Sequence, residues 1–205
     1  VRAWFACTGA ELLRREVADT VGRLASAQQA KGLPGAADQE FAWQHQVGAL
    51  RDAVAQASGA TWTVALEYDL LRLEKRVDAV VLTDRAILAL EFKTAAPDRA
   101  ALAEAEDYAL DLRDFHAGSR THPIVPILVA GEAGFTPPAQ PPLIWEGVVP
   151  PLACGHAALA DALRWVQSTA PAVMPPSTAP HGSPHPIARC PPSSRPRRCS
   201  MRGTA

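Results

Sequence analysis

The chain has 205 residues, with 20 Lys and Arg against 21 Asp and Glu, a formal net charge of −1, 48 % apolar residues and 20 % charged residues. Those proportions suit one domain with a good-sized core plus an appendage, and they exclude a coreless chain, a collagen-like repeat or a disulfide-dense module. No uninterrupted apolar run of about 18 residues occurs, and Glu11, Arg14, Arg15, Glu16 and Asp19 punctuate the start of the chain, so neither a membrane span nor a signal peptide is expected. Cys7, Cys154, Cys190 and Cys199 are scattered without CxxC spacing, which points to a reducing, cytoplasmic setting and away from a zinc site.

In chain order, residues 11–30 read as a helix, with Leu12, Leu13, Val17, Val21 and Leu24 near a 3–4 spacing. Gly32-Leu-Pro-Gly35 breaks it. Residues 39–57 form a second helix whose apolar face is Phe41, Val47, Leu50 and Val54. The period then changes to two: Trp62, Val64, Leu66, Tyr68 and Leu70 alternate with Thr63, Ala65, Glu67 and Asp69. Residues 76–82 and 86–93 are the next two strands, joined by a turn at Thr83-Asp84-Arg85. Residues 100–117 return to helix, with Leu102, Ala105, Ala109, Leu112 and Phe115 on one side. Residues 124–130 are a further apolar run, weakened as a central strand by Pro126. Residues 144–149 are a candidate fifth strand and 157–167 a last helix. The order implies an α/β fold, a mixed sheet flanked by helices, with a parallel crossover through the 100–117 helix.

Composition shifts abruptly after Val166. Residues 168–205 hold no Asp, Glu or Lys, but five arginines and nine of the 19 prolines, leaving a net −6 on residues 1–167. A disordered tail over 167–205 is expected behind a domain of residues 1–166. Its Arg195-Pro-Arg197-Arg198 cluster reads either as a solvated tail or as a partner contact.

The chemistry gathers around Asp78 and Glu91-Phe92-Lys93. Glu91 and Lys93, two apart on a strand, share a side. A turn centred on Asp84–Arg85 sets Asp78 opposite Glu91, Val80 opposite Ala89 and Leu82 opposite Ile87. Two like charges beside an apolar surface need a cation, supplied either by Lys93 and Arg76 or by a divalent ion such as Mg²⁺. Spacing alone is also compatible with a structural charge ladder at a strand end.

The wider wording adds to this. Glu67-Tyr68, Lys75-Arg-Val-Asp-Ala-Val-Val-Leu82, Ala89-Leu-Glu-Phe-Lys93, Asp107-Tyr-Ala-Leu-Asp-Leu-Arg-Asp-Phe-His116 and Pro123-Ile-Val-Pro-Ile-Leu-Val129 follow in order. This series resembles the PD-(D/E)XK, or restriction-endonuclease-like, nuclease superfamily. It is similar in particular to the nuclease-like N-terminal domain of bacterial proteins that continue into a DNA/RNA helicase-like ATPase. The resemblance covers about residues 1–166. It implies Asp78 and Glu91 as ligands of Mg²⁺ (or Mn²⁺), Lys93 as the catalytic lysine, and Glu40 or Glu67 as an extra upstream acid. Glu104 and Tyr108 match a Gln-x-x-x-Tyr of many relatives, with Glu in place of Gln, and Val77 stands where a proline is usual. No GxxxxGK[ST] nucleotide-binding loop is present, so a truncated gene or a shifted reading frame from about residue 168 is expected.

The resulting expectation is a metal-dependent nuclease hydrolysing phosphodiester bonds in DNA or RNA, with a nucleic acid as partner and no membrane. Binding would draw on a patch of Arg72, Lys75, Arg76, Arg99, Arg113 and Arg120. The alternatives are a non-catalytic nucleic-acid or protein-interaction module, or a truncated fragment without activity.

Overall fold

A computed structural model describes residues 2–70 and 75–172. In chain order the elements are β1 (Ala3–Thr8), α1 (Gly9–Arg14), α2 (Val17–Ala30), α3 (Ala37–Gln56), β2 (Thr63–Leu70), β3 (Lys75–Leu82), β4 (Ile87–Lys93), α4 (Arg99–Phe115), β5 (Ile124–Ala130), β6 (Leu152–Cys154) and α5 (Leu159–Thr169). The strands form one mixed sheet in the order β1-β2-β3-β4-β5-β6. The first four are antiparallel neighbours, and β5 and β6 continue parallel to β4. Helices cover both faces, which makes an α/β fold.

Apolar spacing decides which face each helix covers. On the first face, Leu12 of α1, Val21 and Leu24 of α2, the Trp43, Val47, Leu50 and Val54 stripe of α3, and Leu163 and Val166 of α5 pack on Val64, Leu66, Val81, Leu88 and Ile127. On the second face, Ala109 and Leu112 of α4 pack on Val80, Leu82, Ile87, Ala89 and Ile124. Phe41, expected on the buried side of α3, is 63 % exposed, and Trp43 takes the buried place. The helix expected over 11–30 is two helices. Thr8 and Glu11 close a capping box that starts α1. Arg15 and Glu16 then turn extended, so that Leu12 and Leu24 both reach the core.

The hairpin register follows from its turn: Val80 pairs with Ala89 and Leu82 with Ile87. The crossover from β4 through α4 to β5 is parallel, as the pattern implies. Two assignments change. β1 pairs antiparallel with β2 and adds an edge the periodicity does not announce. Residues 144–149 contribute one isolated bridge, Val148 to Ile124, and the strand beside β5 is β6.

Pro126 sits inside β5, opposite Ala89. Ile124 donates to the Gly147 carbonyl and accepts from Val149 N–H, and the alternation of strand groups turns the Pro126 nitrogen to that same side. There it falls between the Val148 bridge and the first β6 pair, Ile127 with Leu152. No ladder donor is wanted at that point.

The folded body passes the boundary at residue 166. α5 runs to Thr169, Ala170 is buried, and the Ala170 carbonyl accepts from Arg85 Nη1 at 2.6 Å. The rest of the expected tail, including Cys190, Cys199 and Arg195–Arg198, lies outside the described residues, as does Arg72.

Candidate functional site

Strand register places the acids. Ala79–Leu90 is the last pair of the β3–β4 ladder, so the next rung sets Asp78 against Glu91. Between β2 and β3, the pairs Leu66–Ala79 and Tyr68–Val77 flank Glu67 and Asp78. Between β1 and β2, Ala3–Tyr68 and Phe5–Leu66 flank Trp4 and Glu67. Trp4, Glu67, Asp78 and Glu91 therefore stand on a single rung, and ladder pairing is interrupted at each step between them. Neighbouring strands lie about 4.8 Å apart, so three carboxylates form a short row across the sheet.

At this rung two strands reverse their side-chain sense. Val64 and Leu66 pack on the first face, yet Tyr68 and Leu70 join the second. On β3, Ala79 and Val81 pack on the first face and Val77 on the second. The unbroken alternation expected over 62–70 is thus corrected. Its cause is backbone: Glu67 has φ of 52°, left-handed, within a strand. Such a conformation costs a non-glycine residue energy that surrounding contacts must offset.

Those contacts are visible. Glu67 is 1 % exposed, with Trp43 Nε1 donating to its Oε1 and Arg76 paired with its Oε2. The Arg76 guanidinium also lies 4.3 Å from the Trp4 ring centre. Asp78 accepts from Phe92 N–H at 2.9 Å. A strand N–H lies in the plane of its sheet, so this carboxylate occupies the gap where β3 and β4 part. Glu91 is 6 % exposed; its Oε1 is 3.0 Å from Lys93 Nζ, while its Oε2 is buried without a hydrogen-bond partner. Lys93 Nζ is also 2.9 Å from Glu104 Oε2, and the Tyr108 hydroxyl donates to Glu104 Oε1 at 3.1 Å. Glu91 and Lys93 share a side as their spacing predicts, and Glu104 and Tyr108, one helical turn apart, meet them from α4.

Charge and burial compete here. Burial pushes the Glu67 carboxyl up to about 7; the Arg76 charge opposes the rise and Asp78 adds to it. Burial, reinforced by the Asp78 charge, pushes Glu91 up to about 8. Asp78 is raised chiefly by desolvation, against the pull of the Phe92 N–H. Desolvation would lower Lys93, but its bonds to Glu104 and Glu91 override that and hold the ammonium above the usual lysine range. Glu104 lies low because Lys93 bonds to it. Desolvation and the Glu91 charge raise Tyr108. If all four acids ionise, Lys93 and Arg76 leave two negative charges uncompensated.

Among the described residues, no group of three or more His, Cys, Asp or Glu is arranged to hold a metal. The pair that suits a hard cation is Asp78 with Glu91, since the latter carries the bare buried oxygen. Of the two upstream acids, Glu67 reaches the row, whereas Glu40 is exposed in the first turn of α3. Glu67 is already committed to Trp43 and Arg76. Trp43 is a neighbour that the sequence offers only as one of five dispersed tryptophans.

Beside Lys93 and Glu104 an open groove of about 510 Å³ runs along Thr94, Ala96 and Ala101. Among the described residues the expected basic patch gathers only in part, with Arg113 and Arg120 both bonding Asp114. Arg76 turns inward, Lys75 meets Asp111, and Arg113 pairs with Asp114. Arg113 lies about 21 Å along the α4 axis from Arg99.

Comparison with protein-family models, with curated proteins and with solved structures gave no match for this chain. What fold and site define is a mixed six-stranded α/β sheet whose carboxylates and lysine meet where β3 and β4 separate.

Proposed function

We propose that this chain is a Mg²⁺- or Mn²⁺-dependent phosphodiesterase acting on DNA or RNA, with a restriction-endonuclease-like arrangement of its sheet. The observation that carries the reading is Glu91 Oε2, buried and unpartnered beside Asp78 and within the Lys93 cluster. An orphan carboxylate oxygen is costly, and a small divalent cation held by one or two carboxylates and several waters removes that cost. Asp78 and Glu91 would be the protein ligands. A bound divalent ion supplies Lewis acidity and lowers the pKa of water.

The chain's own groups do the rest. The Phe92 N–H fixes the Asp78 carboxylate. Lys93, held protonated by Glu91 and Glu104, acts as a cation and hydrogen-bond donor toward negative charge developing on phosphate, not as a base. Tyr108 orients Glu104, and Glu104 orients Lys93. The groove along Thr94–Ala101 offers space for a strand beside them.

The test is cleavage of single- and double-stranded DNA and RNA with Mg²⁺, Mn²⁺ or chelator. Cleavage that needs metal, abolished in Asp78→Ala and reduced about 100-fold or more in Lys93→Ala, is the expected result. Equal activity in the parent and Lys93→Ala removes the lysine from the mechanism. A second reading, a non-catalytic nucleic-acid or protein-interaction module, draws on Lys93 being already engaged by Glu91 and Glu104. It predicts partner binding unchanged by chelator or by Asp78→Ala.

A further inference from the structure

We propose that Glu67 is a positioning residue for Asp78, acting through its left-handed backbone and not as a ligand; this rests on the reading of Asp78 and Glu91 as the cation-binding pair. Glu67 and Asp78 face each other on the rung where β2–β3 pairing is interrupted. Both strands change side-chain sense at that rung, Tyr68 and Val77 going to one face, Leu66 and Ala79 to the other. In a regular ladder, alternation from Val80 would place Asp78 on the second face, under α4. The left-handed turn at Glu67 frees the rung instead. The Asp78 carboxylate then lies in the sheet plane, where Phe92 N–H reaches it.

Glu67 is unsuited to ligation for a separate reason. Its two oxygens are engaged by Trp43 Nε1 and Arg76, and Arg76 is itself stacked on Trp4. Trp43 comes from α3 and Trp4 from β1, so two other elements lock the strained residue. Among the described residues, the only other non-glycine with positive φ is Ser58, at the end of α3, where a left-handed residue is common. A strained, buried acid in mid-strand beside a candidate ligand asks for a different account, and holding that ligand supplies it.

Two substitutions separate backbone from side chain. Glu67→Gly and Glu67→Val both delete the carboxylate and its bonds, but only glycine adopts φ near +50° without penalty. Two readouts are taken on each full-length variant: Mn²⁺ affinity by titration, and hydrogen exchange of the Phe92 amide, which reports the Asp78 bond whether or not metal binds. Expected is a Gly variant that keeps Phe92 protection and Mn²⁺ affinity near the parent's. The Val variant loses protection and binds Mn²⁺ roughly 10-fold or more weaker, the scale of a lost supporting contact. Should the Val variant fail to fold by circular dichroism, Glu67→Ala gives the same comparison. Equal loss of Mn²⁺ binding in both variants, with Phe92 still protected, makes Glu67 a ligand and overturns the proposal. Equal Phe92 protection in both with affinity unchanged overturns it too. A parent protein that binds no Mn²⁺ sinks the cation-site reading, while the exchange contrast between Gly and Val still decides the positioning role.

Discussion

Glu91 is a carboxylate that burial inclines to keep its proton, and this makes the stability of the metal-free protein depend on pH. Its folded value near 8 stands above the ordinary 4.5. Between those limits the folded chain holds a proton that the unfolded chain has released. The stabilisation is full below the ordinary value and is lost as pH rises through about 8. Thermal melts in chelator should therefore show Tm falling from pH 5 to 8, and less steeply in Glu91→Gln, whose carboxamide does not ionise. Glu67, raised to about 7, keeps a smaller share of the slope in that variant. A slope identical in parent and Glu91→Gln would show that this carboxyl titrates normally. At this scale the sequence is informative where the rule is local. Residues two apart on a strand share a side, so Glu91 and Lys93 are legible together. The turn of Glu67 is not, because Glu carries no left-handed preference and the contacts that offset its cost, from Trp43 and Arg76, come from elsewhere in the chain.

At the scale of elements, the β3–β4 hairpin and the β4–α4–β5 crossover are read from sequence because each is built from neighbours in the chain. β1 and β6 are not. β1 pairs with residues some 60 positions away, and β6 has three residues. Pro126 misleads for a related reason: whether a missing N–H matters depends on the partner opposite, and here that partner is the gap before β6. The junction between β1 and α1 is tight. Gly9 N–H donates to the Trp62 carbonyl at 2.7 Å, and a Cβ on Gly9 would sit 2.0 Å from the Gly59 carbonyl oxygen. Backbone has to move to relieve that contact, so Gly9→Ala should cost about 1–3 kcal/mol, read as a lowered urea midpoint at unchanged m-value. A midpoint equal to the parent's would mean that the 59–62 segment yields freely.

For the molecule as a whole, charge bears on how a nucleic acid would be held. Among the described residues the surface cations are largely spent on neighbours: Lys75 on Asp111, Arg113 on Asp114, Lys31 on Asp69. With the proposed substrate the described residues neutralise few phosphates, and in a variant ending after Pro171 binding of a short single strand should depend on salt with a log–log slope no steeper than about −3. Fluorescence anisotropy between low and physiological salt measures it, and a slope twice as steep would require a basic surface that the described residues do not assemble. Among those residues no helix is long and apolar enough to cross a membrane. The Arg85 clamp on Ala170 has a consequence for engineering. Arg85 belongs to the β3–β4 turn, and four residues of β3 put that turn about 13 Å from the Asp78 rung. A fluorophore or fusion partner tethered just after Pro171 would therefore leave from the far rim of the sheet, with the carboxylate end open to solvent traffic.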